Sequence, residues 1–478
     1  MPLHEILKPL PFRQLDRPYV VQVSLQGISE PYLISENSQL RETFQIHSLR
    51  EDDISLLSGH RSADAVASVY AGHQFGGYTP RLGDGRAALI GGLEDRDQRI
   101  WEVQLKGSGM TPFSRMGDGR AVLRSSVREY LMSENMAGLG IPTTRALAIT
   151  GSDDVVIREA RETAAMVTRV ARSFLRFGHY QFFFHTNQHE ELKALIDFTL
   201  EQYFPDCLNQ AEPIAALFTE VVQRTARLIA AWQAQGWCHG VMNTDNFSIL
   251  GDTIDYGPFG FMDRFDPAFI CNHSDDYGRY AYDQQPKIGL WNLVQLGNCL
   301  TPWVAVETLQ RAVDGYNDCY QRSYMALMAQ KLGVAELAED QRESLTIGWL
   351  ELLGRGQMDY HFSFTGLTQA ELHERKPDVR NHTLDLAGFD AWWQQYSDAL
   401  KGTSATSRRQ QMHSHNPYLV LRNWVAQEAI EAAEKKDFTL INALLPALQQ
   451  PFQEYPELAS YAQLPPDWSK SLAVSCSS

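Results

Sequence analysis

The sequence predicts an α+β chain, with strand-like runs and glycine-rich loops in its first part, a change of character near Gly151 and mostly helical patterns from 288 onward. Three observations carry that prediction. Near Lys106, Trp101, Val103 and Leu105 alternate with Glu102, Gln104 and Lys106, the two-residue period of a strand with one face buried. Residues 214–235 instead space Phe218, Val221, Val222, Leu228, Ile229 and Trp232 at helical intervals, and Gly236 closes the run. Mostly helical patterns recur over 288–331, 341–353, 389–401 and 417–434.

Composition sets the limits. The 478 residues, 44% hydrophobic and 11% aromatic, are those of a globular chain with ample core. The length suits about three domain-sized units or a few closely associated lobes. A net charge of −16 and the lack of any Lys/Arg run argue against a nucleic-acid partner. No apolar run approaches the ~20 residues that span a bilayer, and Met1-Pro-Leu-His-Glu lacks the layout of a signal peptide, so no membrane partner and a cytoplasmic location are expected. Six cysteines without a Cys-x-x-Cys pair indicate neither a disulfide scaffold nor zinc.

Taken in order, residues 1–60 are broken by prolines and carry no recognisable chemistry. Tyr70-Ala-Gly-His-Gln-Phe-Gly-Gly-Tyr reads equally as the lining of a ligand pocket or as a tight packing corner. Arg81-Leu-Gly-Asp-Gly-Arg then leads into an apolar run, Ala87 to Ile90, a charged turn over 94–99 and the strand ending at Lys106. Lysine at a strand end opposite a glycine turn suits a nucleotide, with Gly83 and Gly85 admitting backbone N–H groups to phosphate and Lys106 adding charge. Gly-Asp-Gly-Arg-Ala occurs twice, at 83–87 and 117–121, and the two copies read as loops converging on one charged ligand.

The second copy opens a helical pattern over 122–132, closed by Gly138 and Pro142, so Asp118 and Gly119 precede a helix N-terminus, where anions are favoured. Glu129 lies inside that helix. It is the candidate partner of Lys106, the alternative being a solvent-facing acid among Arg124 and Arg128. Arg169, Arg172 and Arg176 stand at i, i+3 and i+7, one face of a helix, suited to phosphate or to surface salt bridges. The stretch 402–416 reads as a mobile loop.

The most informative stretch is 239–261. It reads as a polar loop from His239 to Asn246, a short strand over 247–250, a turn at Gly251-Asp252 and an acidic loop at Asp255-Tyr256-Gly257. Asn246 and Asp255 can aim oxygen ligands at one hard cation, Mg²⁺ or Mn²⁺, leaving room for water and nucleotide phosphate. Protein kinases use His-Arg-Asp-x-x-x-x-Asn followed by Asp-Phe-Gly for the same task, and His239, Asn246 and Asp255 hold that spacing. One position departs: Val241 stands where the kinase base would be, and the nearest carboxylate is Asp245.

With these strings assembled, the chain resembles the SelO (YdiU) family over essentially its whole length. The resemblance is carried by Tyr70-Ala-Gly-His-Gln-Phe-Gly, Gln104-Leu-Lys-Gly-Ser-Gly, Pro112-Phe-Ser-Arg-Met-Gly-Asp-Gly-Arg-Ala, His239-Gly-Val-Met-Asn-Thr-Asp-Asn, Asp255-Tyr-Gly-Pro-Phe-Gly-Phe and the terminal Ser475-Cys-Ser-Ser. It implies a protein-kinase-like fold of two lobes. Residues 1–165 would form a β-rich lobe with the glycine loops, Lys106 and the Glu129 helix; 166–478 would form a helical lobe with the 239–261 loop and a C-terminal extension. It further implies ATP bound in a flipped orientation and transfer of AMP, or of UMP from UTP, to Ser, Thr or Tyr hydroxyls of proteins. Gly83, Gly85, Arg86, Lys106, Asp118, Gly119, Arg169, Arg176 and Asp255 would contact the nucleotide, Asp245 would be the base, and Asn246 and Asp255 would hold magnesium. Because some relatives carry selenocysteine near the C-terminus, Cys476 and Cys271 form a candidate redox pair, or else two free thiols. A γ-phosphoryl-transferring kinase and a noncatalytic ATP-binding pseudokinase are the competing classes.

Overall fold

A computed structural model describes residues 2–15, 18–60, 64–370 and 376–475. Its strands, in chain order, are β1 (Val20–Gln22), β2 (Tyr32–Glu36), β3 (Val66–Ser68), β4 (Gly72–Gln74), β5 (Gly77–Thr79), β6 (Ala87–Glu94), β7 (Ile100–Lys106), β8 (Ala121–Val122), β9 (Arg145–Ile157), β10 (Arg161–Ala171), β11 (Trp237–Cys238) and β12 (Gly260–Phe261). Eight of them form one sheet in the order β1-β3-β6-β7-β10-β9-β2, with β8 attached to β10. Neighbouring strands run antiparallel throughout it. After β10 the chain is mostly helical, the longest helices being Pro213–Ala234 and Val306–Leu332.

Register decides what the sheet presents. Lys106 pairs with Ala87 on one side and Val167 on the other, while Arg169 pairs with Gln104. Side chains alternate faces along a strand, so Gln104, Lys106 and Arg169 project from the same face on adjacent strands. Val103 and Leu105 project from the opposite face into an apolar cluster with Leu40, Leu57, Leu147 and Val170.

The expectation that only one face of β7 is buried is corrected here: Glu102, Gln104 and Lys106 are buried as well. Glu102 is capped by the chain after β10, accepting from the Phe174 N–H at 2.8 Å, Gln104 meets Arg169, and Lys106 meets Glu129 of the Leu123–Gly138 helix, which packs on β9 and β10 and is itself backed by the Asn423–Ala433 and Thr439–Gln449 helices. Val127, Tyr130 and Leu131 join the largest core cluster. The same cover buries Glu129, at 2% exposure, and so removes the solvent-facing alternative.

Other local expectations are also revised. Arg169 and Arg172 do not lie on a helix: β10 runs to Ala171, and the next helix starts only at Phe177. Residues 247–250 form no strand of a hairpin; Ser248 makes a single bridge to Arg176, and the ladder closing this region is β11 with β12, Trp237 opposite Phe261. The helical pattern over 288–331 is two helices, Gln285–Leu300 and Val306–Leu332, parted around Pro302. The polar stretch 402–416 contains a helix, Ala405–His413, because Ser404 caps it and Arg408 is buried, donating to the Leu367 and Ala370 carbonyls. Among the described residues no helix is long and apolar enough to cross a membrane.

Candidate active site

An open cleft of about 860 Å³ lies between the sheet and the 239–261 loop. Gly83, Gly85, Arg86, Lys106, Asp118, Gly119, Arg169, Arg176, Asp245, Asn246 and Asp255 all line it.

Its closed wall is an alternation of charges. Glu129 accepts from Lys106 through one oxygen and from Arg169 Nε through the other. Arg169 Nη1 also reaches Asp255 Oδ1 at 2.9 Å and Gln104 Oε1 at 3.1 Å. Arg176 pairs with the other Asp255 oxygen and donates to the Asp245 backbone carbonyl at 2.9 Å, tying the two acidic positions together. Burial pushes the Lys106 ammonium down to about 8, and neighbouring Arg169 adds to the fall while Glu129 opposes it. Burial also works to raise Asp255, but Arg176, Arg169 and Lys106 override it and hold that carboxyl well below the usual range. Two buried donors in this wall, Arg169 Nη2 and Arg176 Nε, have no acceptor among the described residues. A buried donor without an acceptor is costly, so these atoms form a ready place for anionic oxygens.

The opposite wall is the loop. A short 3₁₀ turn, Thr244–Asn246, presents Asp245, which is 8% exposed and raised to about 6, chiefly by burial. Asn246 commits its amide Nδ2 to the Val241 carbonyl at 2.9 Å, which leaves its oxygen to face a ligand. Asp255 has a left-handed backbone, φ 58°, which Asp tolerates better than most residues. His239 is buried; its Nε2 donates to the Ile254 carbonyl at 2.9 Å and its Nδ1 accepts from the Val241 N–H at 3.3 Å, so it braces the two halves of the loop.

The glycine loops interlock. Thr111 Oγ1 donates to the Asp84 carbonyl at 2.7 Å, and Ser114 Oγ donates to the Gly85 carbonyl. Gly119 has φ 71°, and a methyl there would overlap the Gly109 backbone. Asp118 lines the cleft with its carboxylate engaged by both Arg158 nitrogens at 2.8 Å, which lowers its pKa.

Oxygen donors of this kind, one amide and one carboxylate, fit a hard cation that brings water and phosphate oxygens of its own. Among the described residues no three His, Cys, Asp or Glu side chains cluster as a complete metal cage. Not every expected residue is gathered into the cleft. Arg172 does not line it, and the buried Cys271 sits outside it, its Sγ against the Cys238 carbonyl. Cys476 lies outside the described residues. Tyr70, whose ring lies 4.9 Å under the Arg176 guanidinium, and Gln74, which lies against the Asp245 carboxylate, both line the cleft, one of the two readings of the Tyr70–Tyr78 string; Arg158 and Gln104 are contributors the sequence reading did not assign to the site.

A lysine and two arginines gathered with two acids and an amide around one cleft is the make-up of an enzyme that transfers phosphoryl or nucleotidyl groups. The chain belongs to the SelO family: the family described as "Protein adenylyltransferase SelO" matches residues 8–449. It is similar over 98% of its length, and 98% of theirs, to proteins named "Protein nucleotidyltransferase YdiU". Identity is 47% to that of Ectopseudomonas mendocina (strain ymp), 46% to that of Pseudomonas putida (strain GB-1) and 44% to that of Stutzerimonas stutzeri (strain A1501).

Proposed function

We propose that this chain transfers AMP from ATP to hydroxyl side chains of proteins, releasing pyrophosphate, on a kinase-like pair of lobes whose cleft holds the nucleotide. A boundary at 165 falls within β10, so the lobes are better divided after Ala171. The observation that carries the reading is the buried cation wall, with Arg169 Nη2 and Arg176 Nε lacking acceptors among the described residues beside Lys106. Transfer at the α-phosphorus expels a diphosphate, and fixed positive charge acts most strongly where negative charge develops on leaving. Lys106, Arg169 and Arg176 bind the β- and γ-phosphates in this scheme. Glu129 orients the first two, and the glycine loops lend backbone N–H groups.

Asp245 takes the proton from the acceptor hydroxyl as its oxygen bonds to the α-phosphorus and the bond to the bridging oxygen breaks. A carboxyl raised to about 6 is ionised at neutral pH and still basic enough to share that proton. Mg²⁺ or Mn²⁺ held by Asn246 and Asp255 supplies Lewis-acid charge to the phosphates. Val241 is consistent with this scheme, because with the α-phosphate turned toward the acceptor the base is wanted at 245.

ATP labelled separately at the α- and γ-phosphorus tests the proposal. The α-label is expected on protein and the γ-label is not. Asp245→Ala is expected to slow transfer by about 10²-fold or more with ATP binding little changed. Transfer of the γ-label would indicate a kinase, and binding without either transfer a pseudokinase.

A further inference from the structure

The β4–β5 hairpin, residues 72–79, is bound to the Asp245 loop almost residue by residue, yet nucleotide binding and proton transfer make no use of its tip. The His73 N–H donates to Thr244 Oγ1 at 2.7 Å, and that hydroxyl donates to Gln181 Oε1 at 2.6 Å. The Phe75 N–H lies 3.1 Å from Asn243 Oδ1 and 3.0 Å from the Tyr280 hydroxyl, which itself donates to Asn243 Oδ1 at 2.6 Å. Gly72 packs so closely on the Asp245 carboxylate that a methyl there would overlap it. One carboxylate oxygen, Asp245 Oδ1, is buried with no hydrogen-bond partner among the described residues. The hairpin therefore cannot shift without moving the base.

Phe75 sits at the turn with φ 50°, a left-handed conformation that glycine or asparagine adopts readily and an aromatic residue adopts only when its surroundings impose it. Phe75 is 45% exposed and lines the same cleft as Asp245, with its ring against the Tyr280 ring at 5.1 Å between centroids. A strained, half-exposed apolar ring is of no use to phosphates or to a cation. It is fixed to the loop that carries the base, so it stands on the side from which the acceptor must arrive.

We infer that Phe75 is a binding residue for the protein acceptor: the hairpin forms the acceptor-side wall of the cleft, and the Phe75 ring packs on the polypeptide segment whose hydroxyl is delivered to Asp245. The inference rests on the reading of Asp245 as the base.

Phe75→Ala and Phe75→Tyr, assayed with dephosphorylated casein as acceptor and α-labelled ATP, test it. The main-chain bonds at position 75 survive both changes. Phe75→Ala is expected to raise the KM for casein about 10-fold while the KM for ATP stays within about 2-fold, and Phe75→Tyr to restore the wild-type value. An unchanged casein KM, or an equal rise in the KM for ATP as expected if the ring stacks on the nucleobase, would overturn it. A second arm keeps the contact separate from the chemistry. p-Azidophenylalanine placed at 75 is expected to photo-crosslink to casein, whereas the same group at Leu384, also exposed but outside the cleft, is not. If wild type labels no casein, the transferase reading fails on this acceptor, but a crosslink from 75 alone still supports the contact. Its absence overturns the contact whatever the labelling shows.

Discussion

Replacing Glu129 by glutamine keeps the volume of the side chain and deletes the one carboxylate shared by Lys106 and Arg169. Both bonds are buried: side-chain exposures are 3% for Glu129, 9% for Lys106 and 5% for Arg169. Removing one partner of a buried ion pair costs about 3–5 kcal/mol, because it strands the opposite charge. Here Asp255 remains on the far side of Arg169, and Lys106 has a way out, since burial and Arg169 already hold it near 8 with Glu129 in place. The lower end of that range, about 3 kcal/mol, is therefore expected near neutral pH. The sign of the pH dependence follows. Without Glu129 the folded Lys106 pKa drops further, so over a wider range the folded state holds fewer protons than the unfolded chain, and the stability of the variant rises with pH as Lys106 becomes neutral. The deficit relative to wild type should be largest above the carboxylate range, where Glu129 is ionised and Lys106 is still charged, and shrink as Lys106 of the variant becomes neutral on going up. Urea unfolding at a series of pH values, on wild type, Glu129→Gln, Lys106→Met and the double variant, measures this directly. Coupling between the two sites of about 1–3 kcal/mol is expected, the double variant being less damaged than the two single losses combined. A loss below about 0.5 kcal/mol for Glu129→Gln, with additive effects in the cycle, would refute the argument, since that is what an exposed pair contributes.

The pH dependence of kcat/KM is expected to be a bell, rising through about 6 as Asp245 ionises and falling through about 8 as Lys106 loses its proton. Initial rates over that range check both limbs, and a flat acid limb would remove Asp245 from the role of base. Asp255→Ala should abolish transfer and weaken Mn²⁺ binding in the presence of ATP, read by the electron paramagnetic resonance signal of free Mn²⁺; unaltered Mn²⁺ binding would take Asp255 off the metal. Gly119→Ala puts a methyl into the Gly109 backbone at a left-handed position, at a cost of about 1–3 kcal/mol, and should loosen the loop enough to weaken ATP binding in calorimetric titration.

The alternation along β7 was legible, but a two-residue period says only that the two faces differ. A buried layer of charge and a wet polar face give the same string, and only tertiary partners decide between them: the Phe174 N–H on Glu102, Arg169 on Gln104 and Glu129 on Lys106. The arginines show the converse failure. Spacings of three and four residues match one helical face, but β10 is held by its neighbours β7 and β9, and strand pairing outweighs the local period. The polar stretch at 402–416 reads as a loop for a similar reason, since what makes part of it a helix is the burial of Arg408 against the Leu367 and Ala370 carbonyls.

By itself the sequence determined the chemistry on offer: a lysine at a strand end, paired glycine loops, an acid at 245 in place of one at 241, and two oxygen ligands nine residues apart. These are properties of residue type and short spacing, which a linear string preserves. Only the tertiary structure decided how the charges are shared, with Glu129 between Lys106 and Arg169, Asp255 between Arg169 and Arg176, and Arg158 on Asp118. It also decided that the 72–79 hairpin braces Asp245. The reason is physical: an ion pair or a hydrogen bond depends on distance and burial, and partners such as His73 and Thr244, 171 residues apart, are brought to 2.7 Å only by the register of the sheet and the packing of helices around it.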